Sequence, residues 1–210
     1  TNRYFQLGDY WFYAGKDGAI LKGEQTIDGV KVYFYQSGVQ VKGYFVRNDT
    51  DNKEHYYDKD SGAKVDLGTN RYVQVNDNWY YVNDEGKILK GEQTIDAVKV
   101  HFDPYDGIQT KGGFIDSNGR LINKKKYNAY NKPSKFYDKD SGALVKGQYF
   151  SHDGKWYYAD AQGNILKGSQ TIDGVHVYFD DYGVQAKGII ADGYFYDKDS
   201  GALLKNQFIV

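Results

Sequence analysis

Three short strings in this 210-residue chain set a glutamine and a lysine two positions apart: Gln40-Val41-Lys42, Gln109-Thr110-Lys111 and Gln185-Ala186-Lys187. On a strand such a pair projects to one face, while the residue between points to the other. The glutamine amide both donates and accepts hydrogen bonds, and the lysine ammonium donates three. Together they suit a ligand rich in hydroxyl groups. An aromatic platform would complete the site. Tyr13, Tyr81 and Tyr158, each third in a Trp-aromatic-Tyr triplet, are the candidates, because tyrosine joins a stacking face to a polar tip. Trp11 and Tyr13 share a strand face, so that face must serve core and ligand together or choose between them. Tyr33 and Tyr178 are the alternative platform, with His101 at the corresponding middle position; on that alternative the middle site binds less well or differently.

Catalysis needs a convergent set, such as paired carboxylates, a nucleophile with its base, or a metal cluster. No such set stands at convincing spacing, so neither a catalytic residue nor a metal or other cofactor is expected. The four histidines, His55, His101, His152 and His176, lie in different contexts. The DKDSG strings at Asp58, Asp138 and Asp197 share part of a calcium-loop pattern but lack the EF-hand ligand order and its terminal glutamate. Turns in which the aspartate hydrogen-bonds its own backbone are the better account.

The residues that could bind are copied because the chain is. Trp11 opens WFYAGKDGAILKGEQTIDGVKVYF, Trp79 opens WYYVNDEGKILKGEQTIDAVKVHF, and Trp156 opens WYYADAQGNILKGSQTIDGVHVYF. A Gln-x-Lys-Gly block and then a YDKDSGA block, starting at Tyr57, Tyr137 and Tyr196, follow in each copy. The middle copy carries one extra residue at Pro104 or Tyr105, and its connection between the last two blocks is the longest. Such variation marks a surface loop, and the Lys- and Asn-rich stretch from Asn123 to Pro133 is expected to be the most mobile. The approximate long repeats are 1–69, 70–147 and 148–210, and the whole of 1–210 is read as a single module.

Period-two alternation, as in Val30-Lys31-Val32-Tyr33-Phe34, and the absence of apolar residues at helical spacing predict strands throughout. Lys16-Asp17-Gly18, Gln36-Ser37-Gly38 and Asp60-Ser61-Gly62 are the turn signals. A lone two-stranded hairpin is marginal in water, so the hairpins must stack, each covering the apolar side of the next. The expected fold is all-β, a β-solenoid of stacked β-hairpin repeats. Its core positions are Phe34, Phe102 and Phe179 on one strand and Leu21, Leu89 and Leu166 on another.

Composition agrees: 22 Tyr, 11 Phe and 3 Trp stand beside 25 Gly, with 2 Pro and neither Met nor Cys. The 27 basic residues against 28 acidic ones give a net charge of -1, which provides no electrostatic footprint for nucleic acid or an anionic membrane surface. No apolar run approaches the roughly 20 residues that span a bilayer. Without cysteine, disulfides, thiol nucleophiles and thiolate metal sites are all absent, and the compartment is left open. The start at Thr1 rather than Met is read as that of a fragment of a longer protein.

With the copies aligned, QTIDGVKVYF followed by GVQVKG, together with WYYADAQGNILKG, resembles the aromatic and glycine repeats of the glucan-binding domains of bacterial glucansucrases, over essentially the whole chain. Choline-binding cell-wall modules and clostridial toxin repeats share the broad class; the Gln-x-Lys-Gly ending and the YDKDSGA block favour the glucansucrase type, and tryptophan is too sparse for the aromatic cages that hold a quaternary ammonium. The resemblance implies binding of α-glucan such as dextran and isomalto-oligosaccharides, a secreted or surface location, and catalysis confined to a parent glucansucrase outside this chain. A glucose ring fits the Gln and Lys pairs and the tyrosines, since its C–H faces want an aromatic surface and its rim wants donors and acceptors. The runner-up is an adhesin-like, toxin-like or cell-wall-binding repeat for another surface glycan, and the third reading is a spacer.

Overall fold

Asp28 and Gly29 both have positive φ, 50° and 81°, and they join two five-residue strands that pair from Ile27 with Val30 to Gly23 with Phe34. Positive φ at both central residues defines the I′ turn, whose twist matches that of the flanking strands. The same two-residue connection recurs at Asn76-Asp77, Asp96-Ala97, Asp153-Gly154, Asp173-Gly174 and Asp192-Gly193. The sequence signals at Lys16–Gly18 and Gln36–Gly38 do another job. They turn the chain after a hairpin, so that a single residue bridges back: Ile20 to Ala14 and Gln40 to Phe34.

The computed structural model describes residues 1–48, 51–122 and 131–205, so of the stretch expected to be mobile, 123–130 lie outside the described residues. The described chain is all-β, without helix, and it divides into two compact units, Thr1–Leu89 and Lys90–Val210. In the first unit the antiparallel hairpins are β1 (Arg3–Leu7) with β2 (Tyr10–Ala14), β3 (Gly23–Ile27) with β4 (Val30–Phe34), β5 (Tyr44–Asn48) with β6 (Lys53–Tyr57), and β7 (Arg71–Val75) with β8 (Asn78–Val82). In the second they are β9 (Gly91–Ile95) with β10 (Val98–Phe102), β11 (Gly113–Ile115) with β12 (Lys135–Tyr137), β13 (Gln148–His152) with β14 (Lys155–Ala159), β15 (Gly168–Ile172) with β16 (Val175–Phe179), and β17 (Ile189–Ala191) with β18 (Tyr194–Tyr196).

Inside each unit the segment after one hairpin is stitched to the hairpin before it. The backbone N–H of Gln40 donates to the Trp11 carbonyl at 2.7 Å, and that of Lys64 to Lys31 at 2.8 Å. In the second unit Leu144 donates to Lys99, Gln185 to Trp156 and Leu203 to His176, each at 2.8 Å.

Phe34, Phe102 and Phe179 are fully buried. Leu21, Leu89 and Leu166 are only half-buried. Leu21 packs against the cluster of Ile27, Val32 and Phe34, and Leu166 against Ile172, Val177 and Phe179. The neighbouring Ile88 and Ile165 are buried instead. Tyr57, Tyr137 and Tyr196, which open the YDKDSGA blocks, are also buried.

Candidate functional site

Val41 is buried, as alternation requires, and it turns Gln40 and Lys42 to the opposite face. There the two side chains hold the turn of the next block. Gln40 Nε2 donates to the Ser61 carbonyl at 3.3 Å, and Lys42 Nζ donates to the Asp60 carbonyl at 2.8 Å. Gly62 makes this possible: a Cβ there would collide with Gln40 Nε2, and its φ of +73° is one that side-chain-bearing residues rarely adopt. The turn is fixed from within as well. Asp58 Oδ1 accepts from the backbone N–H of Asp60 at 3.1 Å and from both the N–H and the hydroxyl of Ser61 at 2.8 Å. Asp138 and Asp197 repeat the arrangement.

Gln40 is buried, and a buried amide must find partners. One of its N–H bonds goes to Ser61. Lys42 likewise commits one of its three hydrogens to Asp60. The stitch from Gln40 to Trp11 brings an aromatic wall beside the pair, and Lys42 Nζ sits 5.3 Å from the Trp11 ring centroid. The resulting cleft, about 390 Å³, is lined by Tyr4, Trp11, Asp28, Gln40, Lys42 and Ser61 over a floor of Ile27, Val30 and Val32. Tyr4 and Trp11 are exposed. Burial first, then Tyr13 and the Asp28 carboxylate, push the Tyr4 phenol above its ordinary value, so it stays a neutral donor.

The second unit repeats the group. Gln185 Nε2 donates to the Ser200 carbonyl at 3.2 Å, Lys187 Nζ to the Asp199 carbonyl at 2.8 Å, and Lys187 Nζ lies 5.1 Å from the Trp156 centroid. Tyr149 and Trp156 are exposed there, and burial, Tyr158 and Asp173 raise the Tyr149 phenol. Of the middle set, Lys111 Nζ donates to the Asp140 carbonyl at 3.1 Å, and Gln109 is buried against Gly142; both lie in the second unit, and Tyr81 lies in the first.

Of the tyrosines singled out from the triplets, Tyr13 sits behind the first cleft rather than in it. Tyr13 is half-buried, packs on the core cluster and meets Tyr4 edge to face at 4.8 Å. Tyr158 meets Tyr149 in the same way at 4.7 Å, and Tyr81 meets Tyr72 at 5.0 Å. They position the outer tyrosines. Trp11, Trp156, Tyr4, Tyr149, Asp28 and Asp173 were not picked out from the sequence, although the strand alternation that places Trp11 and Tyr13 on one face already held the signal. Tyr33 and Tyr178 stack instead toward Tyr57 and Tyr196, at 5.8 and 5.9 Å. Among the described residues no group of three or more His, Cys, Asp or Glu could hold a metal ion, and no helix is long and apolar enough to cross a membrane.

Against known proteins, the model of the choline-binding repeat matches residues 21–72 and 166–208. Glucosyltransferase-S of Streptococcus mutans is 37% identical over 207 residues, covering 95% of this chain and 13% of that protein. Glucosyltransferase-S of Streptococcus downei is 42% identical over 158 residues, 75% of this chain and 10% of that protein. The chain thus spans a small part of the relatives that it matches. The crystal structure of choline binding protein F from Streptococcus pneumoniae shares the fold, with a TM-score of 0.52 and 22% identity over 93% of this chain and 61% of that one. The choline-binding repeat model thus accounts for two stretches of the chain, and nearly the whole chain is similar to a small part of the streptococcal glucosyltransferases.

Proposed function

We propose that the chain is a non-catalytic module that binds α-glucan of the dextran and isomalto-oligosaccharide type, as one extracellular part of a glucosyltransferase. The observation that carries this reading is the cleft of Tyr4, Trp11, Asp28, Gln40 and Lys42, whose residues recur as Tyr149, Trp156, Asp173, Gln185 and Lys187. It supplies an aromatic wall for the C–H face of a sugar and, beside it, a carboxylate, an amide oxygen and an ammonium for the hydroxyls. Gln109 and Lys111, in the second unit, are further candidate sugar contacts. The stitching of consecutive hairpins within each unit supports the reading of a solenoid of stacked hairpins. Homology to glucosyltransferases supplies the polymer: an enzyme that transfers glucosyl units gains from a module that retains glucan nearby.

Choline is the second reading, because the repeat model and the structural relative are choline-binding. It is disfavoured by Lys42, whose ammonium already stands over the Trp11 ring. A quaternary ammonium would want that same aromatic face and would be repelled from it.

Affinity electrophoresis of the chain through gels with and without dextran tests the proposal. Dextran is expected to retard the wild-type chain, and Trp11→Ala with Trp156→Ala is expected to weaken the retardation at least tenfold, about 1.4 kcal/mol. Both tryptophans are exposed, so the variant keeps its core. No retardation of the wild-type chain by dextran would overturn the glucan reading, and competition by choline would replace it with the other.

A further inference from the structure

Several of the places where the middle copy departs from its two neighbours lie in or next to one cavity. His101 stands where the other copies have Tyr33 and Tyr178, and Thr110 where they have Val41 and Ala186. The extra residue falls at Pro104 or Tyr105, and the connection after Ile115 is the longest of the three. In the fold, His101 is buried to 1% exposure and its Nδ1 lies 2.9 Å from Thr110 Oγ1. Its Nε2 is a buried polar atom that makes no hydrogen bond of ordinary distance and angle, with the Gly119 backbone beside it. That atom lies against Gly119, where an added Cβ would come within 3.3 Å of it. The cavity beside it, about 260 Å³, is lined by His101, Pro104, Glu92, Lys135 and the turn Asp116-Ser117-Asn118-Gly119.

The walls set the chemistry of the occupant. Glu92 is ion-paired to Lys135 and accepts from the Tyr137 hydroxyl at 2.8 Å. Asp116 is buried and spends Oδ1 on the backbone N–H groups of Asn118 and Arg120, at 2.8 and 3.0 Å. The paired charges leave little pull on an ion, and an apolar guest would leave Nε2 unsatisfied. A hydroxyl group donates and accepts, so it satisfies Nε2 in either tautomer. Neighbouring hydroxyls of one ring can reach Glu92, Lys135 and Ser117 as well. The volume is that of about nine waters and lies below the usual range for larger ligands, so it suits a single sugar unit rather than a run of chain.

We propose that this cavity is a second type of carbohydrate subsite, present only in the middle copy, which takes one glucosyl unit with a hydroxyl on His101 Nε2. It is separate from the Gln and Lys clefts, has no aromatic wall of tryptophan, and gives the module a pocket for a chain end. The proposal rests on the glucan reading for the identity of the sugar.

Long-range proton–nitrogen spectra of the imidazoles, recorded on the whole chain during titration with isomaltose, test it. The His101 signal is expected to move and saturate with a midpoint on the order of millimolar, while His55, His152 and His176 stay in place. The Ile115 methyl group, which also lines the cavity, is expected to follow His101. In His101→Tyr with Thr110→Val, which restores the pair found at Tyr33 and Val41, the Ile115 response should vanish while retardation by dextran persists. A stationary His101 signal at saturating isomaltose, with dextran still retarding the chain, would overturn the subsite and leave the glucan reading intact. An equal shift with sorbitol would overturn it as a site for a sugar ring. If neither isomaltose nor dextran has any effect, both proposals fall.

Discussion

A single histidine separates the middle copy from its neighbours in acid–base behaviour as well as in shape. Burial holds the His101 imidazole below its ordinary value, with Lys135 acting in the same direction and Glu92, Asp103 and the Gly119 backbone opposing it. The folded state therefore prefers the neutral ring, and its contribution to stability is complete above the unfolded value, about 6.5. That contribution is lost as pH falls from there through the lower folded value. Thermal unfolding at a series of pH values is expected to show a larger loss on acidification for the wild-type chain than for His101→Tyr with Thr110→Val; matching profiles would contradict this. The recurrence of Gln40 and Lys42 made them legible from sequence alone, and period-two alternation correctly sent Val41 inward. Their structural role was not legible, because the carbonyls that they hold belong to Asp60 and Ser61, a block away. That Trp11 rather than Tyr13 lines the cleft was hidden for a related reason. The two share a face, and what separates them is the long-range hydrogen bond from Gln40 to Trp11.

The hairpins themselves rest on two-residue turns that demand positive φ. Five of the six I′ turns described above place Gly or Asp at the second turn position, but at Ala97 a methyl group is held at φ 66°. An L-residue there costs about 1–2 kcal/mol. Ala97→Gly is therefore expected to stabilise the chain by about 1 kcal/mol in denaturant unfolding, and Gly29→Ala to destabilise it by a similar amount. Gly62→Ala should do more than strain the backbone. Its Cβ would displace the Gln40 amide, so weaker dextran binding through the first cleft is expected without any change to a cleft-lining aromatic residue. Strand existence was readable from alternation and turn residues. The strand partners were less so, because Asp-Ser-Gly and Lys-Asp-Gly strings look as much like hairpin turns as Asp28-Gly29 does, and only pairing register tells them apart.

For the whole molecule, several modest sites on one chain turn later contacts into intramolecular events. Disabling one cleft by Trp11→Ala is expected to weaken retardation by dextran while leaving binding of a short oligosaccharide at the other sites unchanged; the change at both Trp11 and Trp156 should reduce retardation far more than the sum of the single losses. Equal effects of the single and double variants would argue for one dominant site. The first cleft takes Tyr4 and Trp11 from the β1–β2 hairpin, Asp28 from the turn of β3–β4, Gln40 and Lys42 from the segment that follows, and Ser61 from the turn beyond β5–β6. This cleft is thus assembled from three successive hairpins, and none of them owns it. Gene rearrangements that copy or drop a full long repeat preserve this phase and simply change the number of sites, whereas loss of one hairpin breaks the phase and spoils the sites on both sides of the cut. Unequal crossing-over between copies would therefore lengthen or shorten the repeat in whole steps, a form of growth that a pocket contained within one hairpin would not impose.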